Sequence, residues 1–228
     1  MNPVRQRLLA IPAVVFAVVL GVWIAGGVVT NDFRTSMALT AAWFVASGIA
    51  CLLVARRSRA IRFAVLGAYV ATAGVVGAYL GLTTLRDRVV HERVVAAAPG
   101  AEIAGGRFGS AEHATSGRAA EIAEGRFRSA EHATSGRAAV VRLADRRRFL
   151  TLTSFATSPG PDLRVRLTPG RSIDGGVDGA VDLGALKGNR GDQQYAIPAG
   201  VAIASRTVVI WCRAFSAPFG SARLVVRS

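Results

Sequence analysis

Three runs, residues 8–29, 37–55 and 63–85, contain no Asp, Glu, His, Lys or Arg. Each comes close to the roughly 20 apolar residues that cross a bilayer as a helix. A helix at the surface of a soluble domain keeps a polar face, and these runs are apolar all round. Inside lipid the backbone must satisfy its own hydrogen bonds, so each run is expected to be helical. The first run is long for the core of a signal peptide, and no clear small-residue cleavage site precedes Asn31. Ionisable groups within spans mark ion and proton paths. None is present here, so the three spans read as an anchor in membrane lipid. Gly77 and Gly81 form a G-x-x-x-G pair in the third span, which is either a helix-packing face or ordinary glycine usage in membrane helices.

Orientation follows from the arginines. Arg5 and Arg7 precede span one without an acid, and "RRSRAIR" between spans two and three carries Arg56, Arg57, Arg59 and Arg62. The loop "TNDFRTS" between spans one and two is near neutral. The positive-inside rule then places the N-terminus in the cytoplasm. Three spans carry everything after residue 85 across the plasma membrane, so the C-terminal part is expected to be extracytoplasmic. The chain's formal charge of +14 invites a nucleic-acid reading. Its arginines are spread singly along the chain, and no nucleic-acid partner is expected.

Residues 86–100, "LRDRVVHERVVAAAPG" with its leading leucine, are expected to continue span three as a juxtamembrane helical linker, ended by Pro99 and Gly100. Residues 101–120 then recur as residues 120–139 with a period of 19, differing only at Gly105/Glu124 and Gly109/Arg128. Two copies are too few for a solenoid. A tandem duplication is the simpler reading: the second copy fills one slot in the domain that follows, and the first is an added hairpin or loop.

From residue 121 to 228, short strand patterns alternate with turns. "DLRVRL" puts Leu163, Val165 and Leu167 on one side and Asp162, Arg164 and Arg166 on the other. "SPGPD", "TPGRSIDGGVDG" and "KGNRGD" are turn signals. Seven or eight such strands predict an all-β antiparallel sandwich or barrel-like domain. The chain as a whole is therefore expected to be a three-helix membrane anchor carrying an extracytoplasmic β domain.

Its chemistry is sparse. No C-x-x-C, H-E-x-x-H, Walker or G-x-S-x-G pattern occurs, and no metal site is expected. Cys51 lies within span two, which leaves Cys212 as a lone thiol in the β domain. Alternation along "VVIWCRAF" places Val208, Ile210, Cys212 and Ala214 on one face and Val209, Trp211, Arg213 and Phe215 on the other. Cys212 reads either as a small buried hydrophobe or as a reactive thiol in an oxidising compartment.

Four blocks, "FRSAEHATSGRAAVV", "LTLTSFATSPGPDLRVRL", "DLGALKGNRGDQQYAIP" and "TVVIWCRAFSAPFGSARL", together resemble the DM13 domain family. The resemblance implies a β-rich module of electron transfer or oxidative modification at the cell surface. It implies that Cys212 is redox-active, either as a thiol or as the ligand of a prosthetic group such as haem, although the sequence itself requires no cofactor. The family's H-x-T-S-G falls on His132, Thr134, Ser135 and Gly136, and its G-P-D-L begins on Gly160, Pro161 and Asp162. Lys187, Gly188 and Asn189 lie in its third block. Trp211 and Phe215 are expected to shape the cysteine's pocket, with His132 and Asp162 in support. Electrons would come from a separate redox protein. The alternative is a non-enzymatic cell-surface binding or structural domain in which Cys212 is core packing.

Overall fold

The computed structural model of the chain describes residues 3–95 and 119–227. Its N-terminal part is three helices, α1 (Pro3–Gly27), α2 (Phe33–Arg57) and α3 (Arg62–Leu85), each long and apolar enough to cross a membrane. Asp32 caps α2: its carboxylate accepts from the Thr35 N–H at 2.7 Å and satisfies one of the orphan donors of the first turn. Arg56 and Arg57 occupy the last turn of the same helix, where a cation complements the helix dipole. Leu8, Phe16, Trp23, Leu53, Phe63 and Val75 are all more than half exposed. In water that would be untenable, and against acyl chains it is the low-energy surface.

Helix packing uses glycines other than the G-x-x-x-G pair. The Trp43 ring of α2 lies against Gly21 of α1, and the Tyr69 ring of α3 against Gly48 of α2. The Tyr69 hydroxyl donates to the Phe44 carbonyl at 2.5 Å. A Cβ at Gly74, Gly77 or Gly81 would meet nothing within 4 Å.

The chain divides into two compact units. The first joins the helices to two short segments, Gly160–Asp162 and Cys212–Ala217. Within it Phe215 meets Phe33 edge to face at 5.1 Å, Ser36 Oγ donates to the Phe215 carbonyl, and Ser216 Oγ donates to the Gly27 carbonyl at 2.7 Å. The second unit is Asp87–Pro159, Leu163–Trp211 and Pro218–Ser228.

The β strands form two sheets, with no closed barrel. They are β1 (Val89–His91), β2 (Ala120–Arg126), β3 (Arg128–Ser129), β4 (Ser135–Arg142), β5 (Arg148–Ala156), β6 (Leu163–Pro169), β7 (Val181–Ala185), β8 (Arg190–Ile197), β9 (Arg206–Cys212), β10 (Ala217–Arg223) and β11 (Val225–Val226). The six-stranded sheet runs β1-β8-β5-β4-β2-β11 and the five-stranded sheet β3-β10-β9-β6-β7. Val140, Leu150 and Leu152 of the first sheet and Val165, Leu167, Val208, Ile210 and Phe219 of the second are fully buried. Each such side chain contributes roughly 1.5–3 kcal/mol by leaving water.

The linker departs from expectation. The helical linker predicted over residues 86–100 is not formed in its described part. Helix α3 stops at Leu85, and Val89–His91 pairs parallel with Arg190–Asp192, the one parallel pairing in a sheet otherwise antiparallel. The cause is long-range. Two valines prefer extended backbone, and the partner strand is built to receive them: a Cβ at Gly188 would lie 2.4 Å from the Arg88 carbonyl oxygen, and one at Gly191 (φ +100°) would overlap the Val90 carbonyl. The second repeat copy supplies β2, β3 and the start of β4. The hairpin or loop expected of the first copy falls on residues 101–118, outside the described residues.

Candidate functional site

Strand β9 is apolar on successive residues, and both of its faces are covered. Thr207 through Cys212 are all buried. The period-two pattern assigns the faces but does not show that each is roofed. Trp211, 5% exposed, is covered by the loop after β6, where Gly175 approaches so closely that a Cβ there would lie 2.5 Å from the indole Cγ.

Cys212 ends the strand with no exposed surface. Its Sγ–H donates to the Pro161 carbonyl at 3.0 Å. The carbonyl belongs to the Gly160–Pro161–Asp162 turn, whose geometry follows from its residues. Proline fixes its own φ. Asp162 adopts φ +53°, a left-handed conformation that aspartate tolerates better than most side chains. Two bonds to one residue fasten the turn. The Arg213 N–H donates to the Asp162 carbonyl at 3.1 Å, and Arg213 Nε donates to its carboxylate at 2.6 Å. The residue after the cysteine thereby holds the turn that covers it. Asp162 acts through the turn, and Phe215 is 4% exposed with its ring against Phe33.

His132 stacks on Phe219 with ring centroids 3.8 Å apart, and its backbone N–H donates to the Phe219 carbonyl. Thr134, 7% exposed, donates from Oγ1 to the Phe219 carbonyl at 3.1 Å and shares a 2.8 Å hydrogen bond with Thr157 Oγ1. Ser135 opens β4 and is exposed. Gly136 (φ +116°) sits at a β-bulge where a Cβ would lie 2.7 Å from the Phe155 Cα, a position no L side chain fits. The H-x-T-S-G block therefore clasps strands together.

The third block works the same way. Asn189 exchanges bonds with Thr157, accepting at its side-chain oxygen from the Arg88 N–H at 2.6 Å and donating to the Asp87 carboxylate at 2.7 Å. Lys187 Nζ reaches both Glu92 oxygens, at 2.7 and 2.8 Å, and the Gln194 carbonyl. Burial alone would raise the Glu92 carboxyl, but the Lys187 ammonium and the Gln194 N–H outweigh it and hold it below the usual range. Tyr195 is pushed well above its ordinary value by burial. Its hydroxyl donates to Gln193 Oε1, which also accepts from the Lys187 and Gly188 N–H groups, while Gln193 Nε2 donates to the Gly188 carbonyl. Thr134, Thr157 and Asn189 thus link three sequence blocks into one polar cluster.

Gln193, Asp87 and Glu92 escaped the sequence reading. Gln193 showed only as a polar residue in a strand-like segment, and Asp87 and Glu92 lay in the segment read as a helical linker. A prosthetic group on Cys212 does not fit this arrangement. The thiol has no exposed surface and donates to the Pro161 carbonyl, which leaves no open position at the sulfur.

No curated protein and no solved structure matches the chain. Residues 126–224 do match a family model, described as electron transfer DM13, and they span the three motif blocks and the cysteine turn just described. Over residues 126–224, a little under half of the chain, this protein is similar to the DM13 family.

Proposed function

We propose that this chain is a membrane-anchored redox module, in which three N-terminal helices hold a DM13 domain at the outer face of the plasma membrane and Cys212 is the redox-active group. Supporting the anchor are the helices' length and apolar surface, and supporting the direction are the acid-free arginines on the first and third of the four flanks. The observation that carries the cysteine's role is its placement: one thiol at a strand end, covered by a turn that its own neighbour fastens.

The chemistry that suits a lone thiol is a two-electron cycle. A peroxide-class oxidant converts Cys–SH to Cys–SOH, leaving as the alcohol or water. A thiol of a separate redox protein then condenses with the sulfenic acid, releasing water and forming a mixed disulfide. A second thiol of that partner takes the first, which restores Cys–SH and leaves the partner oxidised. The turn over Cys212 opens for each encounter.

A second reading has specific support. A cysteine with no exposed surface, donating to a carbonyl, is also what a packing residue of a surface-binding domain looks like. Native membranes quenched in acid and alkylated with differential mass tags distinguish the two. Reversible oxidation of Cys212 on peroxide challenge supports the redox cycle, and a thiol that stays reduced throughout makes the domain a binding module. A reporter after Ser228 that reads cytoplasmic would overturn the topology.

A further inference from the structure

We propose that the groove between the β4–β5 turn and the connection from β8 to β9 binds a phosphate ester. The groove has a volume of about 1070 Å³ and is lined by Arg142, Asp145, Arg146, Arg147, Arg148 and Phe149 facing residues 196–200. Neither Cys212 nor any residue of the H-x-T-S-G and G-P-D-L motifs lines it.

Its charge is lopsided. The one acid, Asp145, is closed on Arg147 at 2.6 Å. Arg148 is committed to the wall, donating to the Val201 carbonyl at 2.6 Å and the Pro198 carbonyl at 3.1 Å. Arg142 and Arg146 have no ion pair among the described residues. Arg142 also stands directly opposite Arg148 in the β4–β5 register, and like charges placed so are destabilising. Elsewhere in the same sheet Arg137 meets Glu121 and Glu124, Arg190 meets Asp87, and Arg227 meets Glu124. At this end the cations outnumber the acid that meets them, and an anion resolves the repulsion.

The turn is already shaped for one. Arg146 holds φ +66°, fixed by its N–H to the Leu143 carbonyl and by the Leu143 N–H to the Arg147 carbonyl. Guanidinium forks match the oxygens of phosphate two at a time, and the further oxygens of a phosphate can meet a second arginine. The volume exceeds that of a bare anion and suits one with an organic body. A lipid headgroup and a soluble phosphoester both offer that chemistry.

The test uses the full chain in nanodiscs, with Trp23→Phe and Trp43→Phe so that fluorescence reports Trp211 in the β domain. The unfolding midpoint is followed with inorganic pyrophosphate over phosphatidylcholine discs, and separately in discs containing phosphatidylglycerol. Binding to the folded state raises the midpoint. The site is supported if either probe does so and Arg142→Gln/Arg146→Gln weakens the apparent affinity by about ten-fold or more. Pyrophosphate alone acting assigns a soluble phosphoester, and phosphatidylglycerol alone assigns a headgroup. Relieving the like-charge pair should leave the variant's own midpoint unchanged or higher, and the single variant Arg146→Gln should lie between. The proposal is overturned if wild type and variant respond equally, if neither probe acts, or if Arg171→Gln, which removes an exposed arginine elsewhere, costs as much.

Discussion

The 19-residue repeat allows an experiment in which two deletions of equal length differ at two side chains. Removing residues 101–119 leaves the second copy in place. Removing residues 120–138 joins the first copy directly to Ala139 and Val140, so the domain sees only Glu124 replaced by glycine and Arg128 replaced by glycine. In the intact chain a shift of one period would put Glu121 where Val140 sits with no exposed surface, and an unpaired carboxylate there costs several kcal/mol. That is why the second copy owns the slot, and the second deletion removes the obstacle. Its cost follows from Glu124, which is paired with Arg137 at 2.7 Å and Arg227 at 2.7 Å in a partly exposed cluster. Two such pairs are worth about 0.2–1 kcal/mol each, and each of the two glycines, both in strands, costs about 0.5–1 kcal/mol more. The 120–138 deletion should therefore be less stable by roughly 1–4 kcal/mol, at about 4–8 °C per kcal/mol for a domain of this size. The 101–119 deletion should match the intact chain. Unfolding followed at Trp211 reads both. A 120–138 deletion that fails to fold, or one as stable as its counterpart, would refute the slot argument.

Gly188→Ala should push the backbone around Arg88 and Val90 away, so hydrogen exchange at Val89–His91 should rise while β4 and β5 stay protected. Gln193→Leu orphans the Gly188 N–H and carbonyl and leaves the Tyr195 O–H without an acceptor, while the Lys187 N–H keeps the Tyr195 hydroxyl oxygen. At about 1–3 kcal/mol per buried orphan, chemical denaturation should show a loss of at least about 3 kcal/mol. Glu92 and Glu124 both sit below the usual glutamate range: Glu124 through the Arg227 and then the Arg137 hydrogen bonds, Glu92 because Lys187 and Gln194 overcome its burial. A depressed carboxyl stabilises the fold above its unfolded value, about 4.3, and the contribution is lost as pH falls through the folded value. Acid unfolding should accordingly steepen below about pH 4.3 and flatten in Glu124→Gln.

The helices were legible because lipid imposes a simple rule, a charge-free run of sufficient length. The sandwich was legible from alternation and turns. Strand β1 was not. "RVVHERVV" has helix-compatible composition, and what makes it a strand lies about a hundred residues downstream in Lys187, Asn189 and two glycines. Periodicity sees neighbours along the chain, so a strand defined by distant side chains is invisible to it. Lys187 illustrates the same limit. In sequence it is a turn residue, and in the fold it is the cation that ties β1 to β8 through Glu92.

Asp162 decides whether the cysteine's cover behaves as a gate. Cys212 has no exposed surface, so any reagent reaches it only after the Gly160–Asp162 turn lifts. The Arg213 pair opposes that opening from a partly exposed position, with side-chain exposures of 64% and 25%, and such a pair is worth about 0.2–1 kcal/mol. Asp162→Asn keeps the left-handed φ, since asparagine tolerates it at least as well, and removes only the charge. If opening precedes labelling, alkylation of Cys212 should accelerate by up to about five-fold, which is 1 kcal/mol at RT of about 0.6 kcal/mol. Arg213→Gln should do the same, and the two together no more than either alone, because one pair is being broken. Labelling that ignores all three variants would mean the thiol is reached by another route, and the turn would then be packing and not a gate.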